Sequence, residues 1–492
     1  MDYVLIQTKP KLSPPSSGSS TDPYAGVDGS PNAAIGSAQW PNERANYAHP
    51  PAWKVSGWDY AVGINANLTM SNFGSTILFT YVAPPGLPST HGLSAGQIIT
   101  FYAQQDNISP TSGLPLTSTN VLPSALTQGV PYYVISTGLT ETQFQVSTTS
   151  GGSAINASTS GMSGNNFYFL RDPFSSYTSN TVGTLVSILT AIGGTYPGSY
   201  SGNGQAIQFS GSSANNAVLW GYDFSLHTGI GIIVANCSGF TIRDNYWHEG
   251  GGGTTYGSGQ ITVPGIETVG SASLVASNVT VAYNIVDGGA LQGYTNNNAG
   301  GIEGNGYGTN LIQYNWIKNF WNEDVVYGQD TPAQTGVTLT IQYNLVEVAG
   351  AGFPIDGSHG DWLQVFNISA SNIQTITTNF NLWRQPGLTG TYAGAATQGL
   401  SIVSAAGNSG SATVVVTNNN TMVTLGTNTV SYDWYVDTSN IKTSMTYENN
   451  FVDPTGTDYG VFSVANEGEG TYNPTITYSG NTNLKTGTNL GG

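Results

Sequence analysis

The sequence predicts an all-β chain whose larger part is a solenoid of short strands. Three observations carry that expectation. The 492 residues include 65 Gly and 23 Pro, with 8% charged against 38% hydrophobic residues, a profile of many turns on a surface made soluble by Asn, Ser and Thr. The tetrapeptide IQYN occurs at 312–315 and again at 341–344, each copy followed by an apolar pair and then a charge. Runs such as ILFTYV, QIITFYA and VPYYVIS, rich in β-branched and aromatic residues and bounded by Gly, Pro and Ser, recur over 75–170. The 28 Tyr and 10 Trp supply aromatic mass to bury or display, which does not fit a disordered chain.

Taken in order, residues 1–60 read as an N-terminal extension. Its strand YVLIQ leads into the Pro/Ser linker KPKLSPPSSGSSTDP, and such a strand either adds to a neighbour's sheet edge or frays. Residues 61–175 read as a small β-rich module inserted ahead of the solenoid. Within 176–200 the stretch TVGTLVSILTAIGG places Val182, Leu185, Val186, Leu189 and Ile192 at helical spacing. A helix there would cover the open end of the solenoid, which is expected over 201–492.

The solenoid is read from an Asn register. Aligned on Asn245, Asn284, Asn315, Asn344, Asn381 and Asn450, the chain carries Ile242, Val281, Ile312, Ile341, Thr378 and Tyr447 three positions earlier. Two positions later stand Trp247, Val286, Ile317, Val346, Trp383 and Val452. Successive Asn are 39, 31, 29, 37 and 69 residues apart. The last gap implies either a coil of weak signature or an insertion at 401–440.

A repeat of this length, with an Asn between short apolar strands, resembles the right-handed parallel β-helix of pectate-lyase-like proteins over residues 200–485. The resemblance implies three strands per coil and like residues stacked at ~4.8 Å. Stacked Asn side chains would bond one another and the turn backbone. The stretch GLSAGQIITF with GVPYYVISTGLTETQFQVSTTSGGSAI also resembles a module inserted in phage tail and fibre proteins, which implies a virion of tailspike type as the context.

Charge and cysteine content narrow the function. Ten Lys+Arg against 27 Asp+Glu give a net charge of −17, which repels nucleic-acid phosphates. The single Cys237 excludes an intrachain disulfide framework and lies in an apolar setting. The N-terminus has no signal-peptide pattern and no apolar run reaches transmembrane length. A protein of this kind that acts outside a cell is expected to leave by lysis, by a signal-independent route or as part of a particle.

Two groups of residues are candidates for chemistry. Three positions after each Asn stand His248, Asp287, Lys318, Glu347, Arg384 and Asp453, alternating in sign from Asp287 to Arg384. This column reads either as a salt-bridge ladder or as cations, Lys318 and Arg384, that bind an acidic sugar beside a base. The second group is the strand that opens each coil, aligned on Ile302, Val326, Leu363 and Leu400. There Glu303, Tyr327, Gln364 and Ser401 stand one position later, and Asp324, Asp361 and Gln398 two positions earlier. On one outer face, Asp324 and Asp361 would lie near ~5 Å, with Glu303 further off, spacings that serve glycoside hydrolysis. Tyr327, Trp321 and Trp362 would offer sugar-stacking surfaces or else fill the core, and an Asp at a strand entry equally caps a turn.

GSHGDWLQV matches an H-x-D-x-x-Q pattern of β-helix proteins resembling polysaccharide lyases, which brings His359, Asp361 and Gln364 together, with His359 as general base. The polygalacturonase-like NTD, DD, GHG and RIK set and the pectate-lyase-like WIDH and RxPxxR segments are absent. His248-Glu249 lacks the second histidine of a zinc helix. No metal site is therefore expected. The excess carboxylate could hold Ca²⁺, yet no D-x-D-x-D-G loop is present.

The resemblance implies a phage virion protein, a tailspike, fibre or capsid projection, that meets cell-surface polysaccharide and attaches to other virion proteins through its N-terminal segment. The alternatives are a polysaccharide lyase or glycoside hydrolase acting apart from any particle, secreted or extracellular, and a non-enzymatic decoration protein. Tailspike likeness implies a homotrimer, and Tyr246, Trp316 and Phe451 after the ladder Asn look exposed enough to need a partner.

Overall fold

The computed structural model describes most of residues 63–103, 122–156, 167–175 and 184–196, and from 205 to 490 chiefly the strands and the turns that join them. The N-terminal extension lies outside the described residues. The chain is almost wholly β, with long parallel sheets. Among the described residues no helix is long and apolar enough to cross a membrane.

Six antiparallel strands form a closed barrel: β1 (Leu68–Phe73), β2 (Thr76–Tyr81), β3 (Ile98–Ala103), β4 (Tyr132–Ile135), β5 (Gln143–Ser147) and β6 (Phe167–Arg171). Their order is β1-β2-β5-β4-β3-β6, and the pair Leu68 and Phe167 closes the ring. Alternation sends Phe79, Phe101, Phe144 and Phe169 inward. Phe79 stacks on Phe101 at 4.6 Å and on Phe144 at 5.2 Å, while Phe169 meets Phe144 edge-on at 5.4 Å.

After the barrel, helix α1 (Ser187–Ala191) and the strand Gly194–Thr195 cover the first coil. The helix is shorter than the apolar spacing predicts. Leu189 is buried, Leu185, Val186 and Ile192 pack on the coil core, and Val182 lies outside the described residues.

The coils contribute to three parallel sheets. Sheet A has ten strands and runs from Gly194–Thr195, which pairs antiparallel, through parallel strands to Phe462–Ala465; sheet B has nine, from Val218–Trp220 to Thr475–Ser479; sheet C has eight, from Tyr246–His248 to Thr482–Asn483. Each strand pairs with its equivalent in the next coil, so like positions form columns. Ile242, Val281, Ile312 and Ile341 stack within sheet B and Trp247, Val286, Ile317 and Val346 within sheet C, all turned into one continuous core.

Between sheets B and C runs the Asn ladder. Asn315 donates from its backbone N and its Nδ2 to Asn344 Oδ1 at 2.9 and 3.0 Å, and Nδ2 also reaches Val281 O at 2.9 Å. The same pattern joins Asn245, Asn284, Asn344, Asn381, Asn420, Asn450 and Asn481. All are buried, so each bond spares a polar group that water cannot reach. Asn420 resolves the 69-residue gap: a full coil sits there, with Ser411–Asn418, Thr421–Thr424 and Trp434–Asp437 as its strands.

The residue before each ladder Asn turns the corner in the left-handed region. Tyr283, Tyr314, Tyr343 and Phe380 have φ of 58°, 55°, 56° and 56°. An L-residue held there costs ~1–2 kcal/mol. Their rings stack nearly parallel at 4.8, 5.1 and 5.1 Å, each such contact contributing about 0.5–1.5 kcal/mol in return.

Candidate functional site

The charge column forms in the register that the sequence implies from Asp287 to Arg384: Asp287 pairs with Lys318, Lys318 with Glu347, and Glu347 with Arg384. Lys318 Nζ lies 3.2 Å from Asp287 Oδ2 and 3.8 Å over the Trp316 ring. Both charged groups are buried. Lys318 thus neutralises its neighbour inside the fold instead of presenting a cation to solvent. The column ends one coil later at Val423, the partner of Arg384. Arg384 and Glu347 are placed by backbone register, and Asp453 lies outside the described residues.

Sheet A differs from the sequence alignment by one residue. Ile302 pairs with Val325, not Val326, and the row continues through Leu363 and Leu400 to Trp434. Two adjacent valines satisfy either alignment in sequence; the fold turns Val325 into the core. By register the neighbouring row is therefore Glu303, Val326, Gln364, Ser401 and Tyr435, with Val326 buried. Of these, Gln364 is half-buried, and Glu303 is fixed by its backbone position.

The same shift corrects two stacking candidates. Tyr327 points inward, is 3% exposed, and its OH accepts from Asn310 Nδ2 at 2.8 Å. Trp362 is fully buried beside Trp383, ring centroids 6.3 Å apart. Asp324 and Asp361 are not level with each other: Asp324 N donates to Asp361 O at 2.9 Å, which sets Asp324 opposite Trp362. Both carboxyl groups are buried, with 0% exposure, rather than displayed on an outer face. His359, Trp321 and Gln398 lie outside the described residues. Among the described residues no cluster of three His, Cys, Asp or Glu side chains is placed to hold a metal ion.

Sequence reasoning missed the seam between barrel and coils. Asp223, wholly buried at the edge of the first coil, accepts from Thr100 Oγ1 at 2.6 Å and Tyr102 OH at 2.7 Å on β3. Ser225 donates to it from the backbone at 3.1 Å and from its hydroxyl. Burial pushes its carboxyl above the ordinary carboxylate range, although those donors pull it back.

Arg171, at the end of β6, is likewise buried. Its guanidinium lies 4.1 Å over the Trp220 ring and donates to Trp220 O at 3.0 Å and to His91 O. Burial lowers its pKa, since desolvation disfavours the charge. Backbone bonds Arg171 N to Gly221 O and Asp223 N to Arg171 O, at 2.7 and 2.8 Å, run β6 into the coil edge. Asp172 Oδ1 meets His227 Nε2 at 2.8 Å.

The barrel also covers aromatic surface that the sequence left exposed. Tyr246 meets Tyr102 edge-on at 5.7 Å, and Trp316 is fully buried in a cluster with Ile64, Tyr102, Tyr168 and Leu170. A Cβ on Gly63 would stand 2.9 Å from Ile285 Cγ1, so only glycine lets this segment lie so close. Asn65 donates twice to Asp244, from N at 2.9 Å and Nδ2 at 2.7 Å. The cover for Tyr246 and Trp316 comes from the same chain, not from a partner copy; Phe451 stays half-buried.

Compared with known proteins, the chain matches no family model, no curated protein and no solved structure. The geometry therefore has to carry the functional reading. It offers a closed barrel, a long row of parallel coils, and a buried charged pair, Lys318 and Asp287, that serves the interior. One signal for the seam was present in the sequence: RDPF at 171–174 ends an apolar strand with two charges. A second recurring pair, aromatic then Asn at 283–284, 314–315, 343–344 and 380–381, marked the stacked corner.

Proposed function

We propose that the chain is a virion structural protein of tailspike, fibre or capsid-projection type, a right-handed parallel β-helix that presents a lateral face to host-surface polysaccharide. The observation that carries this reading is the seam. Asp223 and Arg171 bind across it with buried partners on both sides, which joins barrel and coils into one stiff body. A projection that must transmit position from an anchor to a distant surface needs that stiffness. A freely acting hydrolase has no such requirement.

The burial of Asp324 and Asp361 favours presentation of glycan over its cleavage, because a substrate cannot touch a carboxylate that has no accessible surface. In this reading the segment 1–60 anchors the protein to other virion components by adding its strand to a sheet edge. Trimerisation then rests on tailspike likeness, since Tyr246 and Trp316, two of the three aromatics that called for a partner, are covered within the chain.

Deleting residues 1–35 tests the proposal. The shortened protein is expected to fold but to be missing from purified particles, as judged by immunoblot. Normal incorporation would overturn the virion reading.

A further inference from the structure

We propose that the outer face of sheet B is a binding face for a neutral, linear polysaccharide laid along the coil axis. The inference rests on the reading of the chain as a glycan-presenting protein and names the site and the class of glycan.

The face is built by strict alternation. In the strands Thr335–Gln342 and Asn372–Asn379, Leu339, Ile341, Ile376 and Thr378 are buried, while Thr338, Thr340, Gln342, Thr375, Thr377 and Asn379 are turned out and half-exposed. The register stacks Thr338 on Thr375, Thr340 on Thr377 and Gln342 on Asn379. Two hydroxyl columns and one carboxamide column therefore run side by side. Rungs repeat at ~4.8 Å and columns at ~6.6 Å. The pattern reaches Thr309 and Gln313 on one side and Asn418 on the other, with Leu311, Val414 and Val416 among the outward positions, and the carboxamide column then ends at Glu448.

Three features select the ligand. First, from Thr280 to Asn418 no registered outward position of this sheet is charged, although the chain carries a net charge of −17. The cation at the barrel end, Arg243, is already engaged: its Nε meets Asp244 Oδ2 at 2.7 Å and its Nη1 donates to Pro85 O at 2.9 Å. A carboxylated or phosphorylated polymer would find no counter-charge there.

Second, hydroxyls both donate and accept, which matches the hydroxyls of a sugar, whereas the Oδ1 of Asn379 is enclosed and offers no acceptor. Gln342 Nε2 donates to Gln313 Oε1 at 3.0 Å, which orients that column. The hydroxyls of Thr338, Thr340, Thr375 and Thr377 have no hydrogen-bond partner among the described residues. Third, the stacked rings of Tyr314, Tyr343 and Phe380 directly follow the carboxamide column and rim the face with aromatic edges. A repeat of one rung, close to the length of one pyranose in an extended chain, fits a regular polymer better than a globular partner.

The test is retention of the full chain on insoluble neutral polymers (cellulose, β-1,4-mannan and xylan) and on immobilised polygalacturonate and alginate. Retention on at least one neutral polymer is expected, with none on the acidic pair. Thr340→Lys with Thr377→Lys should weaken that retention at least tenfold, whereas Ser71→Lys on the exposed edge of the barrel should leave it unchanged. Gln342→Ala with Asn379→Ala, which adds no charge, reads the same face if the lysine pair does not fold. No retention on any polymer would overturn both the site and the glycan reading. Retention confined to the acidic pair would overturn the neutral class alone. Full retention by both double variants would overturn the face and leave the glycan reading standing.

Discussion

In the barrel, β6 closes on β1 through Leu68 and Phe167, so six antiparallel strands cover one another's edges around a single knot of aromatic rings. In the coils each strand is covered only by the rung above and the rung below, and the same position recurs in every coil. The barrel thus concentrates its stability in residues that all touch. The solenoid distributes it along columns, where a change is felt by one rung and its neighbours. Asp223 and Arg171 join the two by polar groups buried at the seam, which each half needs the other to satisfy.

The largest effect should come from breaking the knot. Phe144 packs on Phe79, Phe101 and Phe169, and Phe144→Ala should cost the barrel ~3–5 kcal/mol. Calorimetry should show the barrel transition lowered most, and the coil transition shifted only as far as the seam couples it. Equal lowering of both would mean that the seam makes one cooperative unit, and the contrast between the halves would fall.

A smaller loss is expected in the ladder. Asn344→Ala removes the acceptor of Asn315 N and the donor to Ile312 O. Two buried backbone groups lose partners, at roughly 2–4 kcal/mol together, the bare carbonyl being the cheaper of the two. Chemical denaturation with Trp fluorescence reads it. Asn481→Ala breaks the matching bonds to Asn450 N and Tyr447 O but no bond to a further ladder Asn among the described residues. Its loss should be smaller by the one amide–amide bond that Asn344 makes to Asn381; an equal loss at both sites would mean that this bond adds nothing.

These differences also explain what the sequence could disclose. Sheets B and C were legible because every position stands at a fixed offset from an Asn whose amide bonds dictate the corner. Asn420 is indistinct in the sequence because it is the last of three consecutive Asn, any of which could hold the register. Sheet A differs by one position at Val325 because segments of unequal length separate its strands and no ladder residue anchors them. The burial of Asp324, Asp361 and Lys318 was hidden for a related reason. Charge in sequence implies solvent on average, and only the register reveals that Lys318 reaches Asp287. The seam joins Thr100 to Asp223, 123 residues apart, a separation that no local pattern can bridge.

The smallest effect tests how the corner is held. Tyr343 sits at φ 56° with its ring between Tyr314 and Phe380. Tyr343→Ala keeps the left-handed backbone and loses both ring contacts, about 1–3 kcal/mol in all. Tyr343→Gly loses the same contacts but relieves ~1–2 kcal/mol of backbone strain, offset in part by the entropy that glycine gains in the unfolded chain, ~0.5–1 kcal/mol. The glycine variant should therefore unfold at a higher denaturant concentration than the alanine variant, though below the wild type. If the alanine variant matched the wild type, the corner would owe nothing to the stack. The rings would then be free to serve the outer face alone, and the solenoid would hold its turns by the Asn amides without aromatic help.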